Sequence, residues 1–149
     1  MTPLNEMRMT VDSRSVNESY VRVAVSAFAA QLDPTVEEIS DLKTALSEAV
    51  TNCIVHAYAD RVGRINIHTQ LFETGLVRVR IRDRGCGIPD VKQALEPLWS
   101  SVGGERAGLG FAVMESFCDK VRVRSTYGRG TSVTLEKQIQ GREHNKSAA

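Results

Sequence analysis

Three features of the chain predict a two-layer α/β (α+β) sandwich, with helices on one face of a mostly antiparallel mixed sheet. Each strand-like stretch is apolar on one side only. Ile65 and Ile67 alternate with Arg64, Asn66 and His68, and Val77, Val79 and Ile81 alternate with Arg78, Arg80 and Arg82. Three segments carry apolar residues at helical spacing, enough to cover one sheet face. With 149 residues the chain has room for one domain with a real core. A doubly wound fold is disfavoured, because its strands would be apolar on both sides.

The elements follow in order. Met7 to Val11 alternates and predicts a short first strand. Ser15-Val16-Asn17-Glu18 reads as a capping box, opening a helix through Val21, Val25, Phe28 and Leu32 that ends near Asp33-Pro34. Thr35-Val36-Glu37-Glu38 is a second capping box, and the longest helix runs behind it to about Tyr58. The two alternating stretches above form a hairpin across Thr74-Gly75. Asp90 to Leu95 predicts a short helix, Gly108-Leu109-Gly110 opens another, and Val121, Val123 and then Val133, Leu135 mark the last two strands. The domain is placed at residues 7–139, and the polar tail 140–149 is expected to be disordered.

A net charge of +1 provides no strong global field toward nucleic acid or membrane. No apolar stretch is long enough for a bilayer, and the first residues make no signal peptide. Cys53, Cys86 and Cys118 are odd in number and lack metal-ligand spacing; they read as reduced thiols of a cytoplasmic protein.

Three constellations carry chemistry. Glu48, Asn52 and His56 lie four apart, which stacks them on one helix face about 6 Å apart along the axis. Such a row is either a site or the wet face of an amphipathic helix. Asp83-x-Gly85-x-Gly87-Ile88 ends a strand: two glycines allow a sharp turn and close approach of a flat ligand, and the carboxylate can accept from an amino group. The same pattern also fits a turn held by an Asp side chain. Gly108-Leu109-Gly110 opens a helix whose free N–H groups favour phosphate, although a glycine pair at a helix start is common.

In this order the three stretches resemble the ATP-binding fold shared by DNA gyrase, Hsp90, histidine kinases and MutL-type proteins (the Bergerat-type or GHKL fold). They correspond to its N box, first glycine box and second glycine box, with a lid at about Glu96 to Ala107. Ser47 to Asn52 with His56-Ala57-Tyr58, Gly87-Ile88-Pro89-Asp90, Glu96-Pro97-Leu98 and Glu105 to Phe111 are most similar to the small bacterial anti-sigma factors that are also serine kinases, the sporulation branch above all.

The resemblance implies ATP/ADP and Mg²⁺ as cofactors. Glu48 would be the base for an attacking serine hydroxyl, and Asn52 a Mg²⁺ ligand. Asp83 would read the adenine amine, Gly87 (with Gly85) would admit the ring, and Thr131 would support the base. Gly108, Leu109, Gly110 and Arg106 would meet the phosphates; the alternative for Arg106 is a solvated lid arginine. His56 is expected to be a helix-end hydrogen-bond partner and Trp99 an apolar anchor of the lid base. The lid carries no lysine, which leaves phosphate contacts there to Arg106 and backbone N–H groups.

Implied partners are an RNA polymerase sigma factor (sigma-F, in sporulation), an anti-anti-sigma antagonist carrying the acceptor serine, and a second copy in a homodimer. Arg22 is a candidate partner contact, and the first strand and helix are candidate dimer surfaces. Direct nucleic-acid and membrane binding are not expected. Other readings are the general stress response pathway and an ATPase module without protein kinase activity. Arg64, Arg78, Arg80, Arg82, Arg122 and Arg124 fall on the strands' outer phase, making a basic face that is either solvated or a docking surface for an acidic partner or subunit.

Overall fold

The computed structural model describes residues 1–95 and 106–142. Its elements are β1 (Asn5–Asp12), α1 (Val16–Ala29), α2 (Val36–Asn52), β2 (Arg64–Leu71), β3 (Leu76–Asp83), α3 (Val91–Ala94), α4 (Arg106–Phe117), β4 (Lys120–Thr126) and β5 (Gly130–Gln138). The strands form one sheet in the order β1-β2-β3-β5-β4, and each neighbouring pair is antiparallel, so the expected mixed character is absent among the described strands. The β4–β5 hairpin returns after the α3–α4 segment and inserts β5 beside β3.

Alternation in β2, β3 and β5 sends Ile65, Ile67, Leu71, Val77, Val79, Ile81, Val133 and Leu135 to the helical side. There they meet Val21 and Val25 of α1, Leu42, Leu46 and Val50 of α2, and Phe111 and Met114 of α4. At about 25 cal/mol per Å² of apolar surface, this single core is the main stabilising term. The helix α2 lies in the middle of the layer, against both α1 and α4.

The two predicted capping boxes have different outcomes. Thr35 caps α2 fully: its side chain accepts from Glu38 N at 3.1 Å while the Glu38 carboxylate accepts from Thr35 N at 2.9 Å. Ser15 does not cap α1, because its own backbone is already helical and its hydroxyl cannot turn back. Glu18 instead pairs with Arg22 at 3.6 Å.

The long helix also ends differently from its periodicity. After Asn52 the backbone widens into a π turn over Cys53–Ala57, closed by Tyr58 N to Cys53 O at 3.0 Å. Residues 140–142, which the sequence placed in the polar tail, make side-chain-mediated contacts with the domain. Gln140 N and Gly141 N donate to the Glu38 carboxylate at 2.7 and 3.2 Å, and Arg142 Nε donates to Asp33 Oδ1 at 2.8 Å. Residues 140–142 are therefore anchored to the start of α2.

Candidate functional site

Between α2, α4 and the ends of β3 and β5 lies a largely apolar cavity. Ala49, Cys53, Ala57, Ile88, Ala94, Phe111 and Val133 form its walls, and Asn52, His56, Asp83, Cys86, Gly87 and Thr131 complete it. Apolar walls with a few polar groups among them suit a planar heterocycle.

Asp83 closes the inner end. It continues the inward phase of Val77, Val79 and Ile81, so strand alternation alone buries its carboxylate, at 5% exposure. Oδ1 accepts from Gly85 N at 2.9 Å and Thr131 N at 3.2 Å, and Oδ2 accepts from Cys53 Sγ at 3.5 Å. Burial raises the Asp83 pKa above its ordinary value; the donors from Gly85, Cys53 and Thr131 oppose that rise without cancelling it. Burial also pushes the Cys53 thiol far up, with the Asp83 charge adding to it, so Cys53 stays a neutral donor. Each carboxylate oxygen has two lone pairs, which leaves Oδ2 able to accept once more.

Thr131 lies directly across from Asp83 in the β3–β5 register. Its hydroxyl sits 2.8 Å from Ser125 Oγ, and Ser125 in turn accepts from Ile88 N at 2.7 Å. This chain ties the glycine-containing turn to three strands.

The two glycines of that turn are required by the protein's own packing more than by ligand approach. A Cβ on Gly85 would lie 2.3 Å from Ala57 O. One on Gly87, whose φ is +75°, would lie 2.3 Å from Thr126 O.

Beyond the cavity wall, Glu48 and Asn52 face Gly110 of α4. A Cβ on Gly110 would stand 3.2 Å from Glu48 Oε2 and 3.4 Å from both polar atoms of Asn52. Asn52 Oδ1 and Nδ2 are buried and accept and donate no hydrogen bond within the described residues. A buried amide without partners is costly, and a cation or a bound polar group would satisfy it. Asn52 therefore fits a metal ligand, and the free lone pair of Asp83 fits an amino group.

Glu48 lies outside the apolar cavity, in a surface depression that it shares with Arg22, Ser40, Lys43 and Thr44. The fold thus brings Arg22 of α1 to the same depression as the predicted base. His56 lines the cavity from the π turn.

Gly108 and Leu109 lie on the first turn of α4, with Arg106 at its start. The side chains of Arg106 and Leu109 fall outside the described residues, as do most of the lid and Trp99. Sequence reasoning missed Cys53 as the partner of Asp83, having read it only as a reduced thiol. It also missed Ser125, although Ser125 continues the inward phase of Val121 and Val123.

Comparison with known proteins agrees with the fold. The sequence model of the family described as "Histidine kinase-like ATPase domain" matches residues 10–137. An anti-sigma F factor of Clostridium novyi (strain NT) is 50% identical over 141 residues, covering 93% of this chain and 98% of the relative. One from Caldanaerobacter subterraneus subsp. tengcongensis is 49% identical, covering 91% and 94%. Among solved structures, the RsbU and RsbW domains of Rv1364c from Mycobacterium tuberculosis match with a TM-score of 0.68 and 25% identity, over 92% of this chain and 32% of that longer one. The mycobacterial sensor histidine kinase MprB shares the fold, with a TM-score of 0.59 at 17% identity. The chain belongs to the histidine kinase-like ATPase domain family and, within it, to the family of anti-sigma F factors.

Proposed function

We propose that the protein captures a sigma factor of the sigma-F type in sporulation and uses Mg·ATP to phosphorylate a serine on the antagonist that would displace it. One observation carries this reading. Glu48, beside the orphaned Asn52 amide and the bare edge of Gly110, also opens onto the depression that holds Arg22. A base reachable both from a nucleotide cavity and from the surface between two helices is what transfer to a protein hydroxyl needs.

When bound, Mg·ATP supplies the phosphoryl group. Asp83 Oδ2 would accept from the exocyclic amine of adenine and disfavour guanine, which presents a carbonyl oxygen at that edge. The N–H groups of Gly85 and Thr131 hold the carboxylate in position. Asn52 Oδ1 offers the cation a neutral ligand. The first turn of α4, with Gly108 and Leu109, would offer its N–H groups to phosphate oxygens, and Arg106 would add charge. Glu48 takes the proton of the serine hydroxyl, which approaches through the α1–α2 depression with Arg22 as a partner contact.

Homodimer formation is supported by an apolar stripe on α1. Val16, Tyr20 and Val23 lie on one face and are 73%, 59% and 59% exposed. No helix among the described residues is long and apolar enough to cross a membrane. A cytoplasmic site of action follows from the sigma-factor partner.

The test incubates labelled ATP with the protein and a candidate antagonist. Glu48→Gln should lower transfer by about a hundredfold or more while leaving ATP affinity and sigma capture in place. Unchanged transfer removes Glu48 from the base role. The product should be acid-stable phosphoserine; an acid-labile phosphoramidate would point to histidine transfer instead.

A further inference from the structure

The sheet face turned away from the helices takes no part in the site above. Register places Arg78, Arg80 and Arg82 of β3 beside Glu136, Thr134 and Ser132 of β5, and these beside Lys120, Arg122 and Arg124 of β4. Two ladders of cations therefore flank a central rail of two hydroxyl side chains, Ser132 and Thr134, with the Glu136 carboxylate at one end, and all of these residues line one groove. Strand spacing sets the ladders about 10 Å apart, with a step of about 6.7 Å along each.

Arg78 is already engaged. It pairs with Glu136 at 2.7 Å, and its guanidinium lies 4.9 Å from the centre of the Phe72 ring. The other five cations meet no carboxylate within ion-pair distance among the described residues. The groove continues past Arg82 and Arg124 to Arg84 and Arg129 at the end of the sheet. The whole chain carries only +1, so this concentration makes the molecule strongly polarised. Like charges this close repel within a Debye length of about 8–10 Å, a cost that a face serving only as solvated surface would avoid by mixing signs.

We infer that this groove docks an acidic segment of a partner protein in extended form, with carboxylates at every second residue. Same-side residues of an extended chain repeat at about 6.7 Å, which is the step of the ladders. Each carboxylate then meets a guanidinium fork from the walls and a hydroxyl of Ser132 or Thr134 from the floor. Single-stranded nucleic acid fits less well, because such sites add aromatic stacking platforms and neither ladder contains an aromatic residue. A second copy placed face to face would oppose arginine to arginine. The groove lies on the opposite side of the sheet from the nucleotide cavity, so docking there is separable from the reaction proposed above.

Fluorescence anisotropy on the full chain tests this, with a labelled decapeptide of alternating Glu and Thr, its Gln–Thr counterpart, and an oligothymidylate of equal length. The acidic peptide should bind, and its affinity should fall as salt is raised. Arg80→Gln with Arg122→Gln should weaken it about tenfold, while Arg14→Gln, away from the groove, should not. ATP binding by the groove variant should match the parent. Where that variant loses its fold, Arg124→Gln alone serves and should weaken the peptide severalfold.

Three results would overturn the inference. They are no binding of the acidic peptide, equal affinity in the groove variant, and tighter groove-dependent binding of the oligothymidylate. A self-association that the groove substitutions abolish, seen by sedimentation together with no peptide binding, would assign the face to a second copy and overturn it as well.

Discussion

Asp83 and Gly110 are each held in a form that serves the site at the expense of the fold. In the unfolded chain Asp83 ionises near its ordinary value of 3.8, but burial raises it in the folded protein. As pH rises from 3.8 through the folded value, the unfolded state sheds its proton first, so stability declines across that window. Ionised Asp83 thus weighs against folding at neutral pH. Asp83→Asn removes that cost while keeping an oxygen for Gly85 N and Thr131 N. Calorimetry should find its Tm equal to or above the parent's. ATP affinity, by titration, should fall about ten- to a hundredfold for a lost charged hydrogen bond. A large loss of Tm with intact affinity would contradict both parts. Gly110→Ala should separate the same two quantities. Its helix gains about 0.5–1 kcal/mol of backbone stability, but the new methyl crowds Glu48 Oε2 at 3.2 Å. A shift of Glu48 off its rotamer by about 1 kcal/mol corresponds to roughly fivefold slower phosphotransfer at unchanged or higher Tm.

At the scale of elements, α2 organises the molecule through its two ends. At its start, the Glu38 carboxylate accepts from Thr35, Gln140 and Gly141 N–H groups, joining a capping box to the C-terminal segment. Burial by itself would raise the Glu38 pKa, but these three N–H donors outweigh it and hold the group below its usual 4.5. The stability it contributes is complete above pH 4.5 and is lost as pH falls through the lower folded value. Glu38→Gln should flatten the acid limb of a pH–Tm profile, and hydrogen exchange should accelerate at Gln140 and Gly141. An unchanged acid limb would remove Glu38 from this role. At its far end the π turn carries Cys53 toward Asp83 and His56 to the cavity wall. Insertions of this kind are frequent at functional sites.

For the whole molecule, a ligand that binds only the folded state raises stability by mass action. Mg·ATP at about a hundred times its Kd should add about 2.7 kcal/mol, read as an upward shift of Tm that GTP does not match. The three thiols report the same event. Cys53 and Cys118 are buried, with Cys118 pushed up to about 12 by burial, whereas Cys86 is exposed at the cavity wall. Mass spectrometry after brief iodoacetamide treatment should find Cys86 alkylated alone, and more slowly with Mg·ATP present. Equal labelling with and without nucleotide would argue against a ligand seated along Cys86 and Gly87.

Local periodicity determined most of what was legible beforehand. Alternation in Val77, Val79, Ile81 and in Val133, Leu135 fixes which way Asp83 and Thr131 point, because side-chain direction in a strand depends only on parity. Spacing by four likewise aligned Glu48 with Asn52 on α2. Other features depend on contacts distant in sequence. The Cys53–Asp83 pairing spans 30 positions, Glu38 reaches Gln140 across 102, and Gly85 is needed because Ala57 O lies where its Cβ would be. The sequence alone thus determined the fold class and the inward direction of Asp83 and Thr131. Only tertiary packing decided which polar atoms are already engaged, as at Asp83 Oδ1, and which, as on Asn52, meet no partner among the described residues.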